Sequence, residues 1–550
     1  MKHIRLPRLV GFFSLAFLAF QSSAADINAD VVVYGDASGG VTAAIQATRM
    51  GKTAILISPY GHLGGLTSSG LGWSDIGNDA ILGGISREFY HNIYQHYQKS
   101  DSWKWEPQEK FANKGQGVPA LNSKTSLAST FEPKVAESVF DTMAKQAGFR
   151  IIKGRVDLNK GVSKEGKRIK SIRLENGTTI TGTMFIDASY EGDMLPLAGV
   201  SFMTGREANA EFSETGNGNT GVAAKNQLPD RIDPYVVKGD ASSGLLPGIR
   251  ADLGGEKGSA DHRLQAYCYR MCLTNHPDNR ITVEKPRGYD EALYEIVFRA
   301  IEVGQSNHFF KLSPLPNRKT DSNNEGGIST DFIGMNYGDD WNWTTLGHAE
   351  REKLAAKHRD WQLGLIWTLQ HHPRVPQKVR DLYAPWGLPK DEFVDNGHWP
   401  YHLYVREARR MRSDFVMTEA HCKRKAPIED PVGMGAYSLD SHNTQRVVNQ
   451  GMVKNEGDIQ VSLSGKPYGI SYRALTPRSS ECENLLVPWA LSSTHIAFGS
   501  IRMEPVFMVL GQSAATAAAI AIESNISVQQ VPYTQLRARL IEDGQKLNFP

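Results

Sequence analysis

An unbroken apolar run near the start of the chain is followed at once by small residues and then by an amphipathic pattern. Residues 30–34 contain three consecutive valines, which is typical of a strand buried on both faces. Apolar positions then recur at helical spacing over residues 41–50, and Gly51 ends that helix. A second apolar run covers residues 53–58. The pattern predicts the strand, helix and strand that open a βαβ unit.

Two later stretches extend this pattern. Apolar and polar positions alternate over residues 151–183, with turn signals at Gly161 and Asn176-Gly177, which predicts a β-meander. An apolar stretch, residues 185–188, then runs into small and acidic residues, as expected for a strand that returns to the same sheet.

The end of the chain has the same character as its start. Residues 483–488 predict a strand, and residues 506–522 predict an Ala-rich helix with Pro505 at its first position. Elements from both ends of the chain therefore predict an α/β fold.

Residues 209–467 do not continue the strand–helix order and are rich in aromatic, Asn, Gly and Pro residues. We interpret them as an inserted, mixed α+β substrate or cap domain. Helical patterns occur at residues 289–303, 348–370 and 403–411. Four arginines would wind around the last of these helices as a solvated or ion-paired face: Arg406, Arg409, Arg410 and Arg412. The predicted divisions of the chain are a removable segment at 1–24, a first domain part at 26–208, the insertion at 209–467 and a C-terminal part at 468–550.

Length and charge exclude several classes of protein. With 550 residues the chain is long enough for two or more structural units and is not a small disulfide-stapled scaffold. Its 61 Lys and Arg nearly balance 59 Asp and Glu, so it lacks the basic excess that binding to nucleic acid requires. The four cysteines, Cys268, Cys272, Cys422 and Cys482, show no zinc-site spacing and are read as buried thiols or at most two disulfides.

The N-terminal segment has the order of a secretory signal peptide. Lys2, Arg5 and Arg8 precede an uncharged run over residues 9–20, and small residues follow at 21–25. The run is too short to cross ~30 Å of hydrocarbon, and no transmembrane segment is expected in the mature chain. We therefore expect an exported protein, periplasmic or secreted; the other interpretation is a buried N-terminal helix.

The turn after the first strand carries the first sign of chemistry. Residues 35–40 fit G-x-A-x-x-G, in which Gly35 permits a tight turn, Ala37 allows close backbone approach and Gly40 lets helix pack on strand. A pyrophosphate fits at the helix N-terminus, beside Gly39, because free N–H groups there favour anions. Ser58 stands where a ribose-binding acid is usual, and a hydroxyl makes a weaker contact. A merely structural glycine turn is the alternative.

Residues 62–72, His-Leu-Gly-Gly-Leu-Thr-Ser-Ser-Gly-Leu-Gly, allow the backbone to lie against a flat ring system. With the preceding turn, this loop resembles the exported FAD-dependent oxidoreductase family, whose fold is similar to the glutathione-reductase-like FAD fold. Further blocks at residues 75–78, 83–90, 185–193 and 480–512 carry the resemblance over nearly the whole mature chain.

The resemblance implies FAD as cofactor, held by a Rossmann-like FAD-binding domain with a β-meander. It implies that the 64–67 loop runs beside the pyrophosphate and flavin, that Val156 contacts adenine through its backbone, and that the 480–512 block closes the site. The candidate cofactor-binding residues are Gly35, Ala37, Gly39, Gly40, Ser58, Gly64, Gly65, Thr67, Val156, Asp187, Ala188, Glu504 and Gly511.

Flavin oxidation of an alcohol or amine requires a group that takes a proton. His495 lies in the C-terminal block and is favoured as general acid/base, although a structural histidine is an equal interpretation. His402, His398 and His442 are the other candidates. Arg502 and Arg406 are candidates for holding a carboxylate or oxyanion, or are internal ion-pair partners.

The predicted function is transfer of a hydride between a small polar substrate, a sugar or hydroxy acid, and FAD. Trp341, Trp343 and Trp399 are weak candidates for stacking on a sugar. His62 is either a covalent FAD attachment or a surface-turn histidine. Because the sequence has no haem or Fe–S motif and export removes the protein from nicotinamide, the unidentified electron acceptor is expected to be a quinone, cytochrome, oxygen or small carrier. The rivals are a redox-neutral flavin-using lyase or hydrolase and a non-enzymatic binding module.

Overall fold

The computed structural model describes residues 27–332 and 343–549. The predicted signal peptide at 1–24 and Trp341 lie outside the described residues. The strands are β1 Ile27–Tyr34, β2 Ala54–Ser58, β3 Leu121–Asn122, β4 Leu127–Ala128, β5 Arg150–Lys153, β6 Val162–Glu165, β7 Arg168–Arg173, β8 Thr179–Asp187, β9 Phe202–Met203, β10 Ile249–Arg250, β11 Met271–Thr274, β12 Arg280–Ile281, β13 Ser313–Leu315, β14 Lys319–Ser322, β15 Leu388–Pro389, β16 Arg410–Met411, β17 Pro431–Gly435, β18 Leu439–Ser441, β19 Gln445–Asn449, β20 Met452–Glu456, β21 Ile459–Val461, β22 Tyr468–Ser471 and β23 Leu485–Leu486.

Twelve α-helices are present among the described residues. They are α1 Ser38–Arg49, α2 Gly84–Tyr97, α3 Pro133–Ala147, α4 Met194–Leu197, α5 Asn209–Phe212, α6 Glu295–Glu302, α7 His348–His371, α8 Gln377–Tyr383, α9 Glu419–Cys422, α10 His495–Ile501, α11 Glu504–Ser524 and α12 Tyr533–Glu542.

The central sheet has seven strands and joins the two ends of the chain. Its order is β5-β2-β1-β8-β7-β6, and β23 pairs with β8. Strands β5, β2, β1, β8 and β23 run parallel, and β7 and β6 are antiparallel to their neighbours. The apolar runs predicted as buried strands are β1 and β2, in which Val31, Val32 and Val33 are fully buried. The α/β fold class is confirmed.

The meander is shorter than the alternation predicted. It consists of β6, β7 and β8, whereas β5, at the start of the predicted range, pairs in parallel with β2. The strand pairing depends on chain direction as well as on side-chain period, so alternation alone assigned β5 to the wrong unit.

The helices α1 and α11 pack directly against each other. A Cβ on Gly511 would collide with the carbonyl oxygen of Gly39, so the two backbones touch at that point. Thr42 Oγ1 donates to the carbonyl oxygen of Met508 at 2.8 Å. This contact fixes the start of α11 beside the start of α1, although they come from opposite ends of the chain.

The predicted helix over residues 403–411 is wrong. The segment is extended or irregular, and only Arg410–Met411 forms a strand. Arg406, Arg409 and Arg410 are buried and pair with carboxylates from distant segments, and Arg412 alone among the four arginines is exposed. Ion pairs with the surroundings, not helical spacing, explain the run of arginines.

Two further features bear on the earlier expectations. All four cysteines are buried and free. Among the described residues one helix, α11, has the length and composition of a membrane span, and 94% of its apolar window is buried inside the protein. The domain boundaries at residues 208 and 467 stay a prediction.

Candidate functional site

The turn between β1 and α1 has a geometry that only glycine allows. Gly35 has φ +110°, and a Cβ on it would lie 2.7 Å from the carbonyl carbon of Ala188. A Cβ on Gly40 would collide with the carbonyl oxygen of Gly35. Ala37 precedes α1 and gives it no side-chain cap, so the first N–H groups of this buried helix end are left for an anion.

Asp36 and Ser58 meet at the carboxyl ends of β1 and β2. Ser58 Oγ donates to Asp36 Oδ2 at 2.6 Å and accepts from the N–H of Gly61 at 2.8 Å. Burial raises the pKa of Asp36 to about 6. The hydroxyl expected to contact a ribose is thus already used. An acid does stand at this edge of the sheet, but it comes from the turn after β1 instead of from the end of β2. The sequence analysis missed Asp36 as a site residue because the fingerprint places the acid after the second strand.

The loop after β2 lies against this turn. Gly64 and Gly65 have φ values of +104° and +57°. Gly64 donates its N–H to the carbonyl oxygen of Asp36 at 2.8 Å and forms a bridge with Ala37. A Cβ on Gly65 would collide with Tyr190 Oη. The close approach of the two glycine segments explains why both are made of small residues.

Glu504, the first residue of α11, ties four segments together. Its Oε2 accepts from Ser38 Oγ at 2.5 Å and from Thr67 Oγ1 at 2.9 Å, and its Oε1 accepts from Tyr190 Oη at 3.0 Å. Burial raises the pKa of Glu504 to about 7. Segments near both ends of the chain therefore converge on one carboxyl group beside the N-terminus of α1.

Asp187 and Ala188, at the end of β8, lie next to the turn between β1 and α1. Asp187 Oδ1 accepts from the N–H and the hydroxyl of Ser189 at 3.0 and 2.6 Å, and its Oδ2 accepts from the N–H of Met194 at 3.0 Å. Burial raises the pKa of Asp187 to about 7. The carboxyl group shapes the turn after β8, while Ala188 packs next to the glycine turn.

The backbone of Val156 is engaged by side chains. Its N–H donates to Tyr34 Oη at 3.4 Å, and His348 Nε2 lies 3.0 Å from its carbonyl oxygen. A cavity of ≈ 220 Å³ adjoins this point and is lined by both of those side chains and by Tyr60 and Arg155. Contact between Val156 and an adenine therefore requires these side chains to move.

His402 lines the same small cavity as Tyr34 and His348. Its Nε2 is buried without a hydrogen-bond partner among the described residues and lies 3.9 Å from Asp36 Oδ1. Burial lowers the pKa of His402 to about 3, so the ring is neutral. A neutral, unpartnered ring nitrogen next to the uncapped helix end is suited to bind a ligand group there, not to act as a second base beside His495.

These features fit a dinucleotide. The uncapped N-terminus of α1 fits a pyrophosphate, Asp36 fits a ribose hydroxyl, and the orphaned His402 nitrogen is aimed into the same region. Gly39 and Gly511 contribute by letting α1 and α11 touch.

His495 is fully engaged by neighbouring side chains. Its Nδ1 lies 2.7 Å from Glu407 Oε2, and its Nε2 lies 2.9 Å from Ser441 Oγ. The ring is 1% exposed. These contacts match the structural interpretation of His495 and leave neither nitrogen for a substrate.

The two candidate arginines are also internally paired. Arg406 Nη1 donates to Asp331 Oδ1 at 2.9 Å. Arg502 Nη1 donates to Tyr404 Oη at 2.6 Å, and its Nη2 donates to Asp440 Oδ2 at 3.2 Å. Both therefore match the ion-pair alternative, although Arg502 positions the acid Asp440.

A polar cavity of ≈ 640 Å³ is the second feature of the site. Trp73 and Asp75, which follow directly on the glycine loop, line one part, and Asp440 and His442 line another. Through Asp440 the cavity touches Arg502, two residues before Glu504. The cavity thus adjoins both segments expected to hold the flavin.

His442 and Asp440 form a pair in this cavity. His442 Nε2 lies 3.4 Å from Asp440 Oδ2, and its Nδ1 lies 3.1 Å from Asn324 Nδ2. Burial and the charge of Arg406 lower the pKa of His442 to about 4. Burial opposes ionisation of Asp440, but His442 and Arg502 outweigh it and hold the pKa of that carboxyl well below its usual range. The pair is a neutral imidazole beside a carboxylate.

The sequence analysis named His442 among several histidines but missed Asp75, Arg270 and Asp440, which also line the cavity. Asp75 lies in the block at residues 75–78 that carried the family resemblance, and that position was the available signal. Trp343 and Trp399 are buried and line the smaller cavity instead.

The other two candidate histidines, His62 and His398, lie outside the polar cavity. His62 Nδ1 lies 2.7 Å from Glu137 Oε1, and its ring stacks on Tyr401 with centroids 3.4 Å apart. These contacts match the surface-turn interpretation of His62. His398 Nδ1 lies 3.1 Å from the carbonyl oxygen of Glu392.

Solved structures that resemble the chain include L-proline dehydrogenase from P. horikoshii, with 18% identity and a TM-score of 0.23 over 33% of this chain and 59% of that one. L-amino acid deaminase from Proteus vulgaris has 17% identity and a TM-score of 0.22 over 33% and 53%. The 3-ketosteroid-Δ4-(5α)-dehydrogenase from Rhodococcus jostii RHA1 has 17% identity and a TM-score of 0.21 over 32% and 50%. The chain thus spans between half and three fifths of the length of these structures.

No curated protein matches the sequence. A family model does match, and it reaches from the first valines of β1 to the last helix, α12. That model is described as FAD dependent oxidoreductase and matches residues 30–540. Because this match spans nearly the whole chain, the protein belongs to the FAD dependent oxidoreductase family.

Proposed function

We propose that the protein oxidises a hydroxyl group of a small polar substrate, a sugar or a hydroxy acid, in the 640 Å³ cavity. The observation that carries this proposal is the His442–Asp440 pair in the lining of this cavity. The lining begins directly after the glycine loop, at Trp73, and its Asp440 accepts from Arg502 of the C-terminal block. The volume lies within the range of about 300–1,000 Å³ that is usual for small-molecule sites.

FAD, when bound, supplies the acceptor for the hydride of the substrate carbon. The protein must then take the hydroxyl proton. Because a carboxylate can only accept, Asp440 selects the tautomer of His442 with hydrogen on Nε2 and leaves the lone pair on Nδ1. A substrate hydroxyl that replaces the amide of Asn324 at Nδ1 can pass its proton to that nitrogen, and Asp440 stabilises the imidazolium that forms.

Export is part of the same proposal. It is supported by the basic, apolar and small-residue order of the first 25 residues. An exported enzyme would pass its electrons to a quinone, a cytochrome, oxygen or a small carrier.

The experiment is anaerobic stopped-flow measurement of flavin bleaching with a panel of monosaccharides, uronates and hydroxy acids. For a substrate found in this way, His442→Gln should slow flavin reduction by about 10²- to 10⁴-fold, because a general base contributes that much to the rate.

The matched control is His371→Gln, at the exposed end of α7, which should bleach at the wild-type rate. An unchanged bleaching rate in the His442 variant, with FAD content equal to wild type, would contradict the proposed role of His442.

A further inference from the structure

We propose that the substrate of the 640 Å³ cavity is an uncharged carbohydrate, and that Asp75 selects it against uronates and other hydroxy acids. The inference rests on the proposed function, since it concerns the same cavity, and it decides between the two substrate classes left open there. The observation behind it is which charged groups facing the cavity are already paired within the protein and which are open to a ligand.

Asp75 is an acidic side chain with open hydrogen-bonding capacity. Its side chain is 15% exposed, and the cation beside it, Arg270 Nη1, lies 4.0 Å from Oδ2, too far for a hydrogen bond. Burial raises the pKa of Asp75, with Arg270 opposing. Both oxygens are therefore available to accept hydrogen bonds from ligand hydroxyls, and such charge-assisted bonds are the stronger kind.

The buried arginines around the cavity are paired with acids and a tyrosine of the protein itself. Arg270 uses Nε and Nη2 on Asp321, at 2.7 and 2.5 Å. Arg502 is held by Tyr404 and Asp440. Bidentate recognition of a carboxylate needs two free parallel N–H groups. The N–H groups that Arg270 keeps free lie beside Asp75, with Nη1 4.0 Å from Oδ2, so a ligand carboxylate bound there would lie against that acid.

The remaining charges favour a neutral ligand as well. Lys225 and Lys311 line the cavity with exposed side chains, where their ammonium groups stay hydrated, and Glu325 lines it with the opposite charge. Inside, Asp75 and Asp440 would repel a ligand carboxylate. The interior thus opposes an acid, because the unpaired edge of Arg270 lies beside Asp75.

Uncharged polar groups complete the lining. Asn323, Asn324 and Gln116 contribute side-chain amides, and Trp73 contributes an aromatic ring. Gln116 Oε1 is buried without a hydrogen-bond partner among the described residues, while its Nε2 donates to Tyr437 Oη at 2.7 Å. An acceptor left open in this way suits a ligand with several hydroxyl donors, and an aromatic ring suits the apolar face of a sugar.

The test compares matched pairs of ligands on the oxidised holoenzyme by equilibrium dialysis. The probes are the methyl glycosides of glucose, galactose and mannose, each against the methyl glycoside of its uronate. At least one neutral member should bind about tenfold or more tightly than its uronate partner. Uronates that bind as well as the neutral members, or failure of all three neutral members to bind, would overturn the proposal.

Two variants tie the preference to named groups. Asp75→Asn should weaken binding of the neutral ligand by about tenfold or more, because a charge-assisted hydrogen bond is lost. It should also lower the ratio of neutral to uronate affinity, because the repulsion of the uronate is lost as well. Gln116→Leu should weaken the neutral ligand while the repulsion of uronates remains. Asp101→Asn, at an exposed carboxylate, is the control and should change neither affinity. If the folded Asp75→Asn variant keeps the wild-type ratio of neutral to uronate affinity, the inference is contradicted.

The two proposals fail in different ways. A neutral sugar that binds but does not bleach the flavin would contradict the proposed oxidation and leave the selection by Asp75 standing. His442→Gln should slow bleaching while the ratio of neutral to uronate affinity stays at its wild-type value.

Discussion

Glu504 shows how a single buried carboxyl group can hold together the segments proposed to bind the cofactor. Three hydroxyls, from Ser38, Thr67 and Tyr190, donate to it, and each comes from a different segment. Burial raises its pKa from an ordinary value near 4.5 to about 7. Folding therefore binds a proton to Glu504 in the interval between those two values, and stability depends on pH there.

The expected result has a definite sign. The folded state holds the proton more tightly, so the contribution of Glu504 is fully present below pH 4.5 and is lost as the pH rises to about 7. Relative to Glu504→Gln, wild type should lose up to about 3 kcal/mol of unfolding free energy over that interval and nothing further above it.

The measurement is urea denaturation of both proteins from pH 4.5 to pH 8. The difference between them isolates Glu504 from Asp36 and Asp187, which titrate in the same range and are present in both. Glu523→Gln, in the exposed part of α11, serves as the control. A difference that does not vary with pH would contradict the assignment.

At this scale the sequence located the glycines of the site better than its charged groups. Gly35 and Gly40 were predictable because their backbone positions exclude any side chain. The roles of Ser58 and His495 depend on Asp36 and Glu407, partners that only the folded chain brings within hydrogen-bonding distance. Spacing along the chain carries no information about such partners.

At the scale of elements, the contact between α1 and α11 positions the segments proposed to bind FAD. Gly39 and Gly511 let the helix backbones touch, and Gln46 Nε2 donates to Thr516 Oγ1 at 3.0 Å one to two turns farther along. Close packing of this kind tolerates no added atom at the crossing point.

Gly511→Ala should therefore destabilise the protein by about 1–3 kcal/mol, even though alanine is the better helix former, because its Cβ would collide with the carbonyl oxygen of Gly39. Thermal unfolding and FAD content measure the effect. Gly288→Ala is the matched control, since a Cβ there would lie 3.8 Å from its nearest neighbour. Equal melting temperatures for both variants would show that the helices can separate without cost.

Elements were predictable where one physical pattern decides them. Buried β-branched runs predicted β1 and β2, and the Ala-rich stretch predicted α11. The segment 403–411 has helical spacing of arginines but no helix, because buried pairs such as Arg410–Glu207 replace backbone regularity. Tertiary ion pairs of this kind override local propensity.

At the scale of the whole molecule, a buried ionic cluster joins the α3 region to the later segments around β14 and residues 391–392. Lys319 Nζ lies 2.8 Å from Glu132 Oε1 and 2.8 Å from Asp391 Oδ1, and it also contacts Glu392. These three carboxylates have the spacing of a metal site, but the ammonium group of Lys319 already lies among them. The cluster therefore links distant parts of the chain through buried ion pairs.

Lys319→Met should destabilise the protein by about 3–5 kcal/mol, because it leaves buried carboxylates without their cation. Lys145→Met, at an exposed position on α3, should leave stability within about 0.5 kcal/mol of wild type. Urea denaturation compares the two. A Lys319 variant as stable as the control would mean that the carboxylates are neutralised in some other way.

The hydrogen bond between Ser38 and Glu504 spans 466 positions of the chain. The ribosome therefore synthesises Ser38 long before Glu504. The nascent chain contains the glycine turn well before the segment that packs against it has been made. Until the segment around Glu504 has been translated, the proposed cofactor site cannot be complete. Loading must then be a late event in the life of each molecule, and truncated translation products should remain colourless.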